Sequence, residues 1–258
     1  MTLNLPSTCF GKDVHMSASP RGTAVVIGVG PGLGMAIAHR FGREGYTVAL
    51  VSRSGARHAG YLEELAAAGI EAGSFPADVR DADGLRSALD AVAERYGSID
   101  LVYYGPAAAD ADAWPTTITE ADSESVRTGM SWMYPAVDVV QQVLPGMVER
   151  GGGGLLFATG LSAVLPMPAL GNLAILSAAL RNYALTLNAA LSGQGIYAGA
   201  LVIGGAVERG DIYRMVTSRP EQFGDVKDMS LDPDDIADTA WALFSERDRA
   251  EAVFNALR

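Results

Sequence analysis

Glycines at a fixed spacing follow a short run of β-branched residues near the start of the chain. The stretch 23–34 reads TAVVIGVGPGLG, and the residues after it have the amphipathic pattern of a helix. Glycines at this spacing let the backbone turn tightly and approach a phosphate, and the helix that follows offers its free N–H groups to the anion. We therefore predict a phosphate-binding turn at these residues: Gly28, Gly30, Gly32, Leu33 and Gly34.

Two further strand ends carry polar residues suited to a nucleotide. The second predicted strand is followed by Ser52 and Arg53 where an acidic residue would bind a ribose 2′-hydroxyl. An arginine beside hydroxyl groups suits a 2′-phosphate instead, which favours NADP over NAD, unless Arg53 is an ordinary surface arginine. After the third strand, Asp78 precedes Val79; its carboxylate could accept a bond from an adenine amino group or could cap the next helix.

Apolar strands alternate with helical patterns along most of the chain. This alternation predicts a single-domain α/β protein with a doubly wound parallel sheet and helices on both faces. The predicted strands are Ala24–Ile27, Thr47–Val51, Glu71–Phe75, Leu101–Tyr104, Leu155–Ala158, Tyr197–Ile203 and Ala252–Asn255. The predicted helices are Leu33–Glu44, Gly60–Ala68, Ala82–Tyr96, Glu120–Glu149, Leu170–Leu191 and Pro233–Ser245.

Length and composition limit the classes of protein to consider. A chain of 258 residues that is 49% hydrophobic can bury one substantial core. We expect one domain over residues 22–258, preceded by a polar extension over residues 1–21. The net charge of −11 argues against nucleic acid and anionic membrane surfaces as partners. A single cysteine and three scattered histidines predict no metal site.

The chain contains one long uncharged stretch, over residues 151–180. Four consecutive glycines and two prolines interrupt it, so it predicts a buried strand, a loop and a helix rather than a membrane span. The N-terminal residues have no long apolar run and no basic segment, and we expect no signal peptide. These features predict a soluble cytoplasmic protein.

The glycine spacing, Arg53 and Asp78-Val79 together resemble the short-chain dehydrogenase/reductase superfamily. The resemblance extends over nearly the whole predicted domain. It implies a Rossmann fold that binds NAD(P), with Gly105 at the cofactor after the fourth strand. It also implies a homodimer or homotetramer formed through the two long helices.

The residues that usually perform the chemistry of this family are missing. Its members carry a Tyr-x3-Lys pair on the helix after the fifth strand, a serine on that strand and an asparagine on the preceding helix. Projected onto this chain, the tyrosine becomes Leu173, the lysine Ser177 and the serine Gly160. The asparagine falls at Trp132 or Met133. The only lysines in the sequence are Lys12 and Lys227, so no lysine lies on the helix over residues 170–191.

Three residues are candidates to replace the missing groups. Tyr104 ends the fourth strand and could donate a proton, or it could simply be a packing aromatic residue. Tyr134 lies close to the vacant asparagine position, and Ser162 follows the vacant serine position by two residues. The cleft is predicted to be apolar and to suit a hydrophobic small molecule, with these residues as its apolar lining: Met130, Trp132, Met133, Met167, Leu170 and Leu173.

Three functions are consistent with this pattern. The first, which we favour, is an atypical NADP-dependent oxidoreductase acting on a hydrophobic carbonyl or enone compound without the Tyr/Lys relay. The second is a non-redox enzyme on the same scaffold, such as a cyclase, isomerase or dehydratase. The third is a catalytically silent nucleotide-binding sensor or partner subunit.

Overall fold

A computed structural model describes residues 20–106, 115–223 and 226–257. Most of the predicted N-terminal extension, including Lys12, lies outside the described residues. The main sheet is formed by seven strands: β1 (Gly22–Ile27), β2 (Tyr46–Val51), β3 (Ala72–Ser74), β4 (Leu101–Tyr104), β5 (Gly153–Gly160), β6 (Ile196–Gly204) and β9 (Glu251–Asn255). They are parallel and lie in the order β3-β2-β1-β4-β5-β6-β9. This order confirms the predicted doubly wound sheet.

Helices cover both faces of this sheet and create two apolar cores. The helices are α1 (Leu33–Arg43), α2 (His58–Ala67), α3 (Ala82–Tyr96), α4 (Ser123–Met130), α5 (Tyr134–Arg150), α6 (Gly171–Leu191), α7 (Asp211–Thr217), α8 (Pro220–Phe223) and α9 (Pro233–Glu246). One core joins α3, α5 and α6 to the sheet, and the other joins α1 and α9 to it. Because both faces are covered, the central strands are buried along almost their whole length.

The helix predicted over Glu120–Glu149 is in fact two helices. The first, α4, begins at its N-cap Asp122, whose carboxylate accepts bonds from the amides of Glu124 and Ser125. The second, α5, begins at Tyr134 with Pro135 in its first turn. A proline lacks the N–H that a continuous helix requires at that position, so the chain turns there and a new helix starts. The break places the carbonyl group of Trp132 beside the sheet.

A second, small sheet lies after β6. Its strands β7 (Ala206–Val207) and β8 (Ser230–Leu231) pair in parallel, and α7 and α8 lie between them. The sequence patterns did not predict this pair. In the part of the chain that the structure describes, no helix is long and apolar enough to cross a membrane.

Candidate functional site

One cleft of about 810 Å³ lies at the carboxyl ends of the central strands. It is lined by every residue predicted to bind the cofactor: Gly28, Gly30, Gly32, Leu33, Gly34, Ser52, Arg53, Asp78, Val79 and Gly105. The predicted residues come from four separate turns that meet at one edge of the sheet. This edge is where open α/β sheets bind their ligands.

The glycine turn has a backbone that only glycine accommodates easily. Gly28 has a φ of +90°, and a Cβ atom there would lie 2.5 Å from the backbone nitrogen of Pro106. Gly32 is the N-cap of α1 and has no side chain to bond the first-turn amides. The amide of Met35 already donates to the carbonyl of Gly30, so an anion in the cleft can accept hydrogen bonds from the amides that precede it, those of Leu33 and Gly34.

The end of β2 presents Ser52 and Arg53 to the cleft. Behind Ser52 lies the buried side chain of His58, whose Nε2 atom is 2.7 Å from the Ser52 Oγ atom. The Nδ1 atom of the same ring lies 2.5 Å from the Oγ atom of Ser74, at the end of β3. The sequence analysis missed this arrangement, because the three residues share no spacing that indicates a contact.

The N-cap of α3 decides between the two interpretations of Asp78, as a helix cap or as a residue of the cleft. The N-cap of that helix is Asp81, whose carboxylate accepts a bond from the amide of Gly84. Asp78 instead lines the cleft, and its Oδ1 atom accepts a bond of 3.0 Å from the amide of Arg80. Asp78 is therefore not the cap of α3, and its binding to an adenine amino group stays a prediction.

The segment after β7 packs against the glycine turn at the rim of the cleft. A Cβ atom on Gly32 would lie 2.9 Å from the amide nitrogen of Gly210, so the two backbones touch only because Gly32 lacks a side chain. Next to this contact, Asp211 accepts a bond of 2.7 Å from the guanidinium of Arg57. This ion pair joins the segments that follow β2 and β7 at the rim of the cleft.

The vacant chemical positions lie at the other end of the same cleft. Gly160, Leu173 and Ser177 all line it, as does Trp132. The hydroxyl of Thr159 donates a 3.0 Å bond to the carbonyl of Ser177 and so fixes α6 against β5. Projection from the family pattern therefore brings together residues that are neighbours in the structure, although none of them has the expected chemistry.

Two hydroxyl groups flank the backbone of Gly160. A Cβ atom on Gly160 would lie 3.1 Å from the Oγ atom of Ser177 and 3.4 Å from the Oγ atom of Ser162. Ser162 was predicted as a replacement residue, whereas Ser177 was treated only as the position that lost a lysine. Both hydroxyls can donate a hydrogen bond to an oxygen atom bound beside Gly160.

Tyr104 lines the cleft but is almost completely buried, with 1% of its surface exposed. Its hydroxyl donates a 2.6 Å bond to the backbone carbonyl of Trp132, at the break between α4 and α5. Burial, and to a smaller extent the charge of Asp138, raises the pKa of Tyr104. The proton of this tyrosine is already donated to a protein acceptor.

Tyr134 opens α5 and is 54% exposed. Among the described residues, the cleft is lined by Trp132 but not by Tyr134. Ser162 does not line the cleft either, so among the described residues Tyr104 is the one predicted replacement residue that does.

The chemical end of the cleft is mainly apolar. Of the residues predicted as its apolar lining, Trp132 and Leu173 line it. Elsewhere the cleft has further apolar lining residues that the sequence did not indicate: Leu176, Leu180, Ile203, Val207 and Ile212. Within the described part of the chain, no group of three or more histidine, cysteine, aspartate and glutamate side chains could bind a metal ion.

Comparison with known proteins identifies the family. The family model described as short chain dehydrogenase matches residues 22–208. The chain belongs to this family. The match begins with β1 and ends just after β7, so it includes the glycine turn and the vacant chemical positions.

The individual relatives have low sequence identity to this chain. A putative ketoacyl reductase from Streptomyces coelicolor is 32% identical over 140 residues, which are 54% of this chain and 52% of that protein. The chain spans about half the length of the curated relatives it matches.

Two solved structures have the same fold. The L-sorbose reductase from Gluconobacter frateurii, solved with NADPH and L-sorbose, has a TM-score of 0.76 at 22% identity and covers 93% of this chain and 97% of its own. An apo short chain oxidoreductase from Pseudomonas aeruginosa, which contains an atypical catalytic center, has a TM-score of 0.79 at 17% identity. It covers 91% of this chain and 96% of its own. At these identities, the similarity establishes the fold.

Proposed function

We propose that this protein is an NADP(H)-dependent oxidoreductase that acts on an apolar carbonyl or enone compound without a tyrosine–lysine proton relay. The observation that carries the proposal is the continuity of the cleft. The same cleft runs from the glycine turn, past Ser52 and Arg53, to Gly160 and Leu173.

The residues at the first end of the cleft fit NADP(H). The glycine turn leaves room for a pyrophosphate next to the α1 N-terminus, and Arg53 with Ser52 suits a 2′-phosphate. The cleft volume lies within the range of ligand sites, about 300–1,000 Å³. The L-sorbose reductase of the same fold was solved with NADPH. When bound, this cofactor would supply a hydride.

The residues at the other end would hold the substrate. Ser162 and Ser177 would donate hydrogen bonds to its carbonyl oxygen, and these bonds would stabilise the negative charge that develops there. Leu173 and Trp132 would exclude water from the apolar part of the substrate. Tyr104 would have to give up its bond to the Trp132 carbonyl before it could act as an acid, so we assign the proton to water.

The test measures binding and turnover on the same preparation. We expect NADPH to bind to the purified protein more tightly than NADH in fluorescence titrations. We also expect NADPH to be oxidised in the presence of apolar ketones or enones. When the NADPH is labelled with deuterium at C4, the label should be recovered in the product. NADPH that binds tightly but transfers no hydride to any member of the panel would contradict the proposal and favour a silent sensor. Turnover of a substrate after complete nucleotide removal would favour a non-redox enzyme.

We further propose that the protein assembles as a homodimer or homotetramer through α5 and α6, as the family resemblance implies. Both helices expose apolar side chains, including Val148 on α5 and Ile175 on α6. Sedimentation analysis of wild type and Ile175→Glu tests this assembly. We expect the charged variant to shift toward the monomer, and an unchanged mass would exclude this surface.

A further inference from the structure

A buried histidine stands directly behind the serine that lines the cofactor end of the cleft. His58 opens α2 and has 2% of its surface exposed. Its two ring nitrogens each face a serine hydroxyl, Ser52 at 2.7 Å and Ser74 at 2.5 Å. We call these three side chains the Ser74–His58–Ser52 row; it begins at the end of β3 and ends in the cleft.

The surroundings of the His58 imidazole favour its neutral form. Burial lowers its pKa below the ordinary value. A neutral imidazole has one nitrogen that donates a hydrogen bond and one that accepts. Since both nitrogens face hydroxyls, the row has two possible directions, which differ in the nitrogen that carries the proton.

The direction of the row decides what Ser52 can offer to a ligand. With the proton on Nε2, His58 donates to the Ser52 Oγ atom, and the hydroxyl proton of Ser52 is available elsewhere. In the structure the Ser52 hydroxyl donates this proton to the carbonyl of Ser54 over 3.1 Å, so a ligand oxygen would have to replace that carbonyl as the acceptor. With the proton on Nδ1, Ser52 must donate to Nε2 and has no proton for a ligand.

We propose that His58 is a positioning residue that favours NADP(H) over NAD(H) by fixing the Ser52 hydroxyl as a donor to the 2′-phosphate. The inference depends on the proposed NADP(H) function of this cleft. At neutral pH the phosphate oxygens are mainly acceptors, so they require the direction in which Ser74 donates to Nδ1 and Nε2 donates to Ser52. The ribose 2′-hydroxyl of NAD(H) can both donate and accept, and it therefore fits either direction.

The test compares the dissociation constants of NADPH and NADH for wild type, Ser52→Ala, His58→Phe and the double variant. A hydrogen bond to a charged group contributes enough to change affinity about tenfold to hundredfold. We expect Ser52→Ala and His58→Phe each to weaken NADPH binding about tenfold and to weaken NADH binding less, because a 2′-hydroxyl loses at most a neutral hydrogen bond. The double variant should be no worse than Ser52→Ala, because both substitutions remove the same oriented donor. The proposal would be overturned if the substitutions weakened the binding of NADPH and NADH equally. It would also be overturned if the loss of NADPH affinity in the double variant equalled the product of the two single losses.

Milder substitutions keep the test decisive if His58→Phe does not fold. His58→Gln retains an N–H donor and should recover part of the NADPH preference. Ser74→Ala removes the far end of the row and should weaken NADPH binding about threefold, with NADH unaffected. If neither variant changes the ratio of the two affinities, the row does not set cofactor choice.

The matched control is a histidine outside the cleft. His39 on α1 pairs with Glu64 at the surface, with 2.8 Å between its Nε2 atom and the carboxylate. His39→Phe should leave the ratio of the NADPH and NADH affinities unchanged. Thermal unfolding of every variant shows whether it is folded. A wild-type protein that binds neither dinucleotide would overturn the proposed function itself. A wild type that prefers NADPH, with row variants that keep that preference, would overturn only the role of His58.

Discussion

The two ends of the cleft differ in how many of the family's usual binding and catalytic features they retain. At the cofactor end, the residues that matter are glycines, a helix N-terminus and the polar residues after β2 and β3, and all of them line the cleft. At the chemical end, the positions that the family resemblance assigns to the usual serine, tyrosine and lysine are also neighbours, but they hold Gly160, Leu173 and Ser177. On this projection the framework is the same at both ends, and only the chemical end lacks the usual proton-transfer groups.

This difference shows which features of a site depend on the backbone and which depend on single side chains. A phosphate turn is fixed by several glycines and a helix terminus, and it persists as long as the chain follows the same path. A proton relay depends on a tyrosine whose pKa is lowered by a nearby cation, and two substitutions remove it. A fold match therefore supports cofactor binding more directly than it supports a reaction.

The largest effect should come from breaking the cofactor end at Gly28. Gly28→Ala forces a Cβ atom into the backbone of Pro106 at a positive φ, and we expect a loss of about 3 kcal/mol in the free energy of unfolding and no detectable NADPH binding. Gly30→Ala is the matched control for stability alone, because a Cβ atom on Gly30 meets nothing within 4 Å but would lie in the cleft. Thermal unfolding and NADPH titration measure both variants. Equal stability of the two would contradict the account of the turn.

The next effect is a gain at the chemical end. Leu173→Tyr combined with Ser177→Lys restores the residue types of the usual relay, and general acid–base catalysis contributes about 10²–10⁴-fold. We expect NADPH oxidation with ketones to rise about a hundredfold above wild type. The control is Leu173→Phe with Ser177→Met, which has similar bulk and no titratable group. A double variant that binds NADPH but remains as slow as this control would show that more than the relay has been lost.

A smaller effect is expected at Arg53. Removing a charged hydrogen-bond donor to a phosphate should weaken NADPH binding about tenfold or more in Arg53→Ala. NADH has no 2′-phosphate, so its affinity should stay the same and serves as the internal control. Parallel losses for both cofactors in fluorescence titrations would exclude Arg53 as the 2′-phosphate residue.

The smallest effect concerns the pH dependence of stability. Burial lowers the pKa of His58 in the folded state, whereas the unfolded chain has the ordinary value of about 6.5. The unfolded state then binds more protons, so the free energy of unfolding should fall as the pH drops through 6.5, by at most about 1.4 kcal/mol per pH unit. His58→Gln lacks this titration and should show a flatter dependence between pH 7.5 and 5.5. Denaturant unfolding at several pH values checks this, and parallel curves for the two proteins would contradict it.

Local patterns predicted most of the fold. The strand predicted at Leu101–Tyr104 has those bounds in the structure. The other predicted strands, and the helices that cover the main sheet, mostly differ from their observed bounds by a few residues at each end. Apolar runs and glycine turns are local signals, so they were sufficient to predict where the strands and helices lie. The break before Tyr134 was missed because the helical pattern continues across Pro135, although this proline lies in the first turn of α5.

The contacts between distant segments were not predictable in the same way. The bond from Tyr104 to the Trp132 carbonyl depends on the break between α4 and α5, which the sequence analysis did not place. The row behind Ser52 joins β2, α2 and β3, and no spacing in the sequence marks its members as partners. The ion pair between Arg57 and Asp211 joins residues 154 positions apart.

The most direct test of the account is a crystal structure of the protein with NADPH bound. The account predicts a pyrophosphate on the amides of the glycine turn and a nicotinamide ring beside Gly160. It also predicts that no tyrosine hydroxyl and no lysine or arginine lie within hydrogen-bond distance of the nicotinamide ribose. A tyrosine and a cation supplied there by other segments would contradict it, as would a cofactor bound elsewhere.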